Sequence, residues 1–354
     1  MNCQNSQPVI SQSANTQLAS DFSSQMVFLQ MKYGSWIFQS IYAAAKLGIA
    51  DLLKDGSRSC EDLASATLTH ERSLYRLLRG LASMKVFEET EPGYFTLTPL
   101  ANYLRSDVPD SLKARVIMNG EEQYRAWGEI MYSIQTGKSA FEHLYGMNLL
   151  DYYAQNPEAG KNFNQAMTRS STIQNPGIVL DYDFSDVQTL VDVGGGQGKL
   201  LTDILKAYPK MKGILFDQPE AIKGAKSLIE QAGILDRCEL IAGNFFESVP
   251  AGGDAYILKY VIHDWDDERA IAILKRCYEA MPEHGKLLLV EQVIPSGNQP
   301  SFSKMLDLQM LVLCPGGCER TEAEYRILME KSKFQPIKIV PTQTSLSVIE
   351  GVRV

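Results

Sequence analysis

Leu190-Val191-Asp192-Val193-Gly194-Gly195-Gly196-Gln197-Gly198 is the stretch on which the reading of this 354-residue chain turns. A strand-like apolar run meets glycines, and a helical pattern starts at Lys199. Glycines at such a junction let the backbone turn sharply and bring a ligand close to a helix N-terminus. The spacing Gly194-x-Gly196-x-Gly198 puts Lys199 where the dinucleotide fingerprint has its third glycine. No Gly-Lys-Ser/Thr follows, so the phosphate cradle of a P-loop is absent as well.

Outward from this turn the pattern alternates. Strands are expected at Thr189–Val193, Gly213–Asp217, Cys238–Ala242, Ala255–Val261 and Lys286–Val290, with helices at Lys199–Tyr208, Pro219–Ala232 and Glu268–Met281. Alternation of this kind predicts a mostly parallel sheet with crossover helices. Pro336–Val340 and Leu346–Val354, separated by Thr342–Ser345, predict a closing antiparallel hairpin. The second strand ends in Asp217, an acid placed to accept from a ribose diol. The third ends at Gly243-Asn244-Phe245-Phe246, where an amide and an aromatic face suit an adenine. A glycine turn, a ribose acid and an adenine pocket without a pyrophosphate fingerprint fit S-adenosylmethionine (SAM) better than NAD.

The N-terminal third reads differently. Residues 1–25 form a Ser-, Gln- and Asn-rich tail, expected to be disordered, with neither the basic start nor the apolar block of a secretory signal. Residues 26–105 read as a helical, winged-helix-like unit. Leu74, Leu77, Leu78 and Leu81 share one helix face, and Val86–Glu89 and Tyr94–Leu97 flank a Pro92-Gly93 turn like a wing. Arg72, Arg76 and Arg79 on a second face raise a DNA-binding regulator as an alternative. Residues 1–105 carry nine Lys+Arg and nine Asp+Glu, however, and a module that neutralises phosphates should not be neutral. The segment Met26–Leu53 is apolar around much of its circumference, which predicts a dimerisation element. Residues 106–183 form a helical connector rich in Tyr, Phe, Trp and Met.

The whole chain carries 34 Lys+Arg against 42 Asp+Glu, a net charge of −8, which argues against nucleic-acid or anionic-membrane partners. No apolar run approaches the ~18 residues of a membrane span, and a cytoplasmic location is expected. Six scattered cysteines predict free thiols. Cys314 and Cys318 lack a second ligand pair and the chain has only four histidines, so no metal site is expected.

Four blocks carry a resemblance: Val191-Asp192-Val193-Gly194-Gly195-Gly196, Phe216-Asp217-Gln218-Pro219, His263-Asp264-Trp265-Asp266-Asp267-Glu268 and Gly316-Gly317-Cys318-Glu319-Arg320-Thr321. From about Phe28 to Val354 the chain resembles the plant-type and bacterial small-molecule O-methyltransferases, which include caffeate, flavonoid, acetylserotonin and polyketide O-methyltransferases. The resemblance implies an α/β fold: a Rossmann-like SAM domain at 184–354, with a mostly parallel seven-stranded sheet and C-terminal hairpin, beside the N-terminal dimerisation domain. It implies that Gly194, Gly196, Asp217, Asn244, Phe245, Lys259 and Ser171 hold SAM. Members often have Asp where Asn244 stands; an amide still accepts a hydrogen bond but carries no charge.

His263 lies just beyond the fourth strand, at the sheet edge where ligands sit in open α/β folds, and is the candidate general base. The acids Asp264, Asp266 and Asp267 can cap the following helix, and Asp264 can also orient the imidazole. Glu291 ends a buried strand and needs a partner or a function; the resemblance implies that it and Glu319 flank the histidine and hold it in orientation. Phe163, Met167 and Met310 match acceptor-pocket positions, with the connector contributing to that pocket. Cys314 stands where several plant members have a substrate-binding Asn, which argues against assuming their phenylpropanoid substrates. The acidic Asp264–Glu268 block could suggest Mg²⁺, as in smaller catechol-type methyltransferases, but those lack this histidine and this N-terminal domain. The expectation is a homodimeric, metal-independent, SAM-dependent O-methyltransferase acting on a small hydroxylated aromatic acceptor. Transfer to nitrogen or carbon, or a non-methylating use of SAM, is the alternative on the same fold.

Overall fold

The structure, a computed structural model, describes residues 24–354. The polar tail expected over residues 1–25 therefore lies outside the described residues except for its last two, which are already helical. The chain divides into two compact units, one ending at Val108 and one running from Pro109 to Val354.

In the first unit, helical residues 24–32 precede helices Gly34–Lys46 and Ile49–Leu52, parted by Gly48 in a left-handed conformation. Ser59 caps helix Cys60–Thr67 by accepting from the Asp62 amide. Helix Glu71–Ser83 buries Leu74, Leu78 and Leu81, spaced by four and three, and leaves Arg72, Arg76 and Arg79 exposed. Each buried leucine contributes roughly 1.5–3 kcal/mol. Strand β1 (Arg58–Ser59), β2 (Phe87–Glu91) and β3 (Tyr94–Leu97) form an antiparallel sheet in the order β1-β3-β2 around Phe87 and Phe95.

The second unit opens with short helices between Lys113 and Gln155 and the long helix Pro157–Asp181. Its sheet takes β4 (Thr189–Val193), β5 (Lys212–Asp217), β6 (Cys238–Ala242), β7 (Ala255–Lys259), β8 (Lys286–Glu291), β11 (Phe334–Pro341) and β12 (Ser347–Arg353). Two-residue strands β9 (Val293–Ile294) and β10 (Arg320–Thr321) pair in parallel outside it. The sheet order is β11-β12-β8-β7-β4-β5-β6, parallel from β8 to β6, with β12 antiparallel to both of its neighbours. Apart from Asp192 in β4 and the polar residues at strand ends, β4, β7 and β8 are runs of buried apolar residues because helices cover both faces. Strand order reverses between β4 and β7, and the crevice at such a reversal is where open sheets bind ligands.

Strand β7 ends two residues earlier than the sequence pattern suggests. Tyr260 adopts φ +54°, which turns the chain out of the sheet before Val261. Helices Phe302–Leu313 and Glu322–Lys331, the latter closed by a Thr321/Glu324 capping box, complete the unit. No helix among the described residues is long and apolar enough to cross a membrane.

Candidate active site

The glycine turn sits at the carboxyl end of β4. Gly194, Gly196 and Gly198 have φ of +70°, +60° and +75°, conformations that other L-residues adopt only under strain. A Cβ at Gly194 would lie 2.8 Å from Val261 Cγ2, whereas one at Gly196 would meet nothing within 4 Å. Space is therefore held open above Gly196. The Asp217 carboxylate accepts from the Gly196 amide at 2.7 Å and the Gln218 amide at 2.6 Å. Burial raises its pKa and those two N–H groups oppose the rise. Phe245 lies partly buried beside Gly194 and meets Trp265 edge-on. Asn244 is exposed, its Oδ1 accepting from the Phe246 amide and its Nδ2 donating to Glu247. One acceptor lone pair of that amide is thus occupied by its own turn.

Beneath the glycines, Asp192 is buried with neither carboxyl oxygen hydrogen-bonded. Burial and the nearby Asp217 push it up to about 7 against the pull of Lys259. Lys259, at the tip of β7, donates to Ser171 Oγ at 3.0 Å and Asn175 Oδ1 at 2.9 Å. Burial lowers its pKa to about 8 despite Asp192 and Asp203. Ser171 and Asn175 come from the long helix, one turn apart, and Asn175 passes the link to Asp203, which also binds Lys199.

The other side of the crevice is built where β7 ends. The Val261 and Ile262 amides donate to Glu291 Oε1 at 3.1 and 2.9 Å, which fixes the short 3-10 turn Ile262–Asp264. His263, 7% exposed, has Nδ1 2.7 Å from Glu319 Oε1. Glu319 is buried, not the surface carboxylate its loop position would allow, and Glu291 is completely enclosed. The two glutamates therefore hold the histidine differently: Glu319 bonds the ring, and Glu291 bonds the backbone that carries it. Asp264 lies 3.6 Å from Nε2, beyond hydrogen-bond range, and accepts instead from the Cys314 thiol at 3.5 Å. Asp266 is the acid that caps helix Asp267–Ala280.

Burial opposes charge on His263, but Glu291, Asp264 and Glu319 outweigh it and raise the imidazole to about 10. Glu291 is raised to about 7 by burial, with His263 pulling it down. One ligand atom from each of His263, Glu291 and Glu319 lies within 4.8 Å of the others, a grouping that could in principle hold a cation. Here the His263–Glu319 contact has hydrogen-bond spacing.

The four expected acceptor residues fall in two clusters. Phe163 and Met167 pack with Met118 and Tyr153; Met310 and Cys314 pack with Phe141 and Trp127; Leu149 and Tyr152 belong to both. Two site residues escape a reading of the sequence. Tyr260 accepts from Gln174 at 3.0 Å and its ring lies tilted against that of His263, centroids 4.9 Å apart, a place given by its left-handed backbone. Arg320, 1% exposed, donates to Asp267 and to the carbonyls of Ile262, Trp265 and Cys318, so it clamps the histidine loop. Its place directly after Glu319 in the Gly316–Thr321 block was the available signal.

Comparison with known proteins gives the family and the fold. An O-methyltransferase domain model matches residues 127–335, and an O-methyltransferase dimerisation domain model matches residues 29–107. The chain is 48% identical to a phenazine O-methyltransferase of Lysobacter antibioticus, over 92% of this chain and 95% of that one. It is 31% identical to a phenazine-1-carboxylate N-methyltransferase of Pseudomonas aeruginosa, over 90% and 95% of the two chains. Among solved structures, a neocarzinostatin-biosynthesis O-methyltransferase in complex with SAM and 2-hydroxy-5-methyl naphthoic acid superposes with a TM-score of 0.80. The identity there is 31%, and the match covers 90% of this chain and 96% of that one.

Proposed function

The chain belongs to the O-methyltransferase family and is a SAM-dependent enzyme, and from that premise we propose that it methylates a hydroxyl of a small aromatic metabolite with His263 as general base. The observation that carries the proposal is the 2.7 Å contact between His263 Nδ1 and Glu319 Oε1. With Nδ1 committed to the carboxylate, Nε2 is the nitrogen left for the acceptor's proton.

When bound, SAM supplies an electrophilic methyl on a sulfonium, a good leaving group whose positive charge disfavours protonation of His263. The residues present fit it: the open space at Gly196, the Asp217 carboxylate for a ribose diol, the Phe245 face beside Asn244 for the adenine, and Gly194, Lys259 and Ser171 completing the cradle. Phe163, Met167, Met310 and Cys314 would line the acceptor, the methionines conforming to a flat ring. Holding the acceptor oxygen in line can supply roughly 7–11 kcal/mol of the barrier. A phenol-like hydroxyl has a pKa of about 10. An ordinary imidazole near 6.5 would be about 5 kcal/mol too weak to take that proton beforehand, at 1.36 kcal/mol per unit. The carboxylates around His263 raise its pKa and so narrow the gap. The cost moves to keeping the imidazole neutral at pH 7, which makes proton removal as the oxygen attacks the economical course.

A second reading puts the methyl on nitrogen, supported by likeness to the phenazine-1-carboxylate N-methyltransferase. A pyridine-type ring nitrogen has no proton to lose, and for such an acceptor the His263–Glu319 pair has no task. Residues 26–105 are assigned to homodimerisation, 106–183 to a connector contributing to the acceptor pocket, and 184–354 to methyl transfer. The enzyme is read as cytoplasmic and metal-independent, without nucleic-acid or membrane partners. Labelled SAM with a panel of hydroxylated aromatics tests the activity, the product's mass and attachment atom distinguishing oxygen from nitrogen. His263→Ala should slow transfer roughly 10²–10⁴-fold while S-adenosylhomocysteine (SAH) binding persists. Undiminished turnover on an O-methylated product would remove the base from the mechanism.

A further inference from the structure

Arg115, on helix Lys113–Gly120, is a part-buried cation without an acid to balance it among the described residues. Its Nη2 donates to Ser170 Oγ, and among the described residues that serine is its hydrogen-bond partner. Burial pulls its pKa below the ordinary arginine value, Tyr260 alone opposes this, and no carboxylate contributes. Enclosing a guanidinium is costly unless something pairs with it. Arg320 shows how this chain settles such a debt internally, with Asp267 and three carbonyls around one guanidinium. Arg115 has no such arrangement.

Its position narrows what is missing. Ser170 lies on the long helix between Met167, on the expected acceptor side, and Ser171, which binds Lys259. Arg115 acts electrostatically on both Lys259 and Tyr260, and the Tyr260 ring lies against His263. Lys259 has Asp192 and Asp203 to offset its charge, so Arg115 is the unbalanced cation in the corner between the glycine turn and the base. A planar fork of N–H donors in such a corner matches a carboxylate, which it can bind through two parallel hydrogen bonds.

We propose that Arg115 anchors a carboxylate that enters the site on a ligand, either an acid group of the aromatic acceptor or the methionyl carboxylate of the cofactor. The proposal rests on the reading of this crevice as the methyl-transfer site. It assigns Arg115 a binding role, and transfer of the proton stays with His263.

Binding measurements separate the two sources without requiring turnover. Calorimetry compares SAH with 5′-methylthioadenosine, which lacks the amino-acid moiety, and then 1-hydroxy-2-naphthoate with 1-naphthol on the SAH complex, in wild type and Arg115→Gln. An acceptor role predicts that wild type prefers the naphthoate roughly 10- to 100-fold and that the variant loses this preference with SAH affinity unchanged. A cofactor role predicts the same loss for SAH while 5′-methylthioadenosine is unmoved. Arg115→Lys should recover part of either effect by keeping the charge without the fork. Because no ion pair is lost, Arg115→Gln should unfold at or above the wild-type temperature. Equal affinities in wild type and variant in both comparisons would overturn the proposal. Absence of methylation of any hydroxylated aromatic would instead count against the functional reading and leave these affinities interpretable.

Discussion

Three carboxylates around one imidazole set how the site responds to pH. His263 is raised above its usual 6.5, so the stability contributed by its charged form is complete below that value and is lost as pH climbs towards 10. Glu291 acts in the same sense at lower pH, since a carboxyl raised to about 7 costs stability as the medium passes from its ordinary range to that value. Activity should run the other way, with kcat/KM rising from pH 7 towards 10 as the imidazole becomes free to accept a proton. Glu319→Gln removes one of the groups that raise His263, so its pH–rate curve should shift to lower pH and its thermal unfolding should depend less on pH above 7. An unshifted curve would mean that Glu319 does not set the basicity of the ring. His263 and Glu291 were legible in the sequence because each follows an apolar strand, at the edge where such sheets bind ligands. Tyr260 and Arg115 were not, since a left-handed tyrosine and a missing counter-ion are facts of tertiary placement.

At the scale of elements, two neighbouring glycines should separate folding from binding. Gly194→Ala forces a side chain into a left-handed backbone and against Val261, and should cost about 1–3 kcal/mol in a denaturant titration. Gly196→Ala carries the same backbone strain but opens into free space, so SAH affinity should suffer more than stability. Arg320→Met leaves three loop carbonyls without their donor, while the exposed Asp267 stays solvated, and should destabilise the fold by about 1–3 kcal/mol. The parallel strands were readable because runs buried on both faces are continuously apolar. Among these parallel strands the overrun at the end of β7 came from Val261, which is buried but in the loop. Strands β9 and β10 could not be read, being two residues each and defined only by each other.

For the molecule as a whole, charge and apolar surface are unevenly shared. Residues 1–105 hold equal numbers of each sign, so the entire −8 belongs to 106–354. The neutral unit instead exposes Phe28 (72%), Met31 (72%) and Trp36 (61%), more apolar surface than one helical segment normally leaves to water. Replacing Phe28 and Met31 together by Glu should convert a dimer into a monomer in sedimentation at micromolar concentration. A variant that stays dimeric would place the contact elsewhere. The pairing of β9 with β10 has a consequence for how such an enzyme can diversify. It pins both ends of residues 295–319, a stretch that contains helix Phe302–Leu313, Met310 and Cys314 and delivers Glu319 to the histidine at its exit. On the functional reading proposed above, side chains in the interior of that stretch can change the acceptor pocket while its anchored ends keep His263 and Glu319 in register.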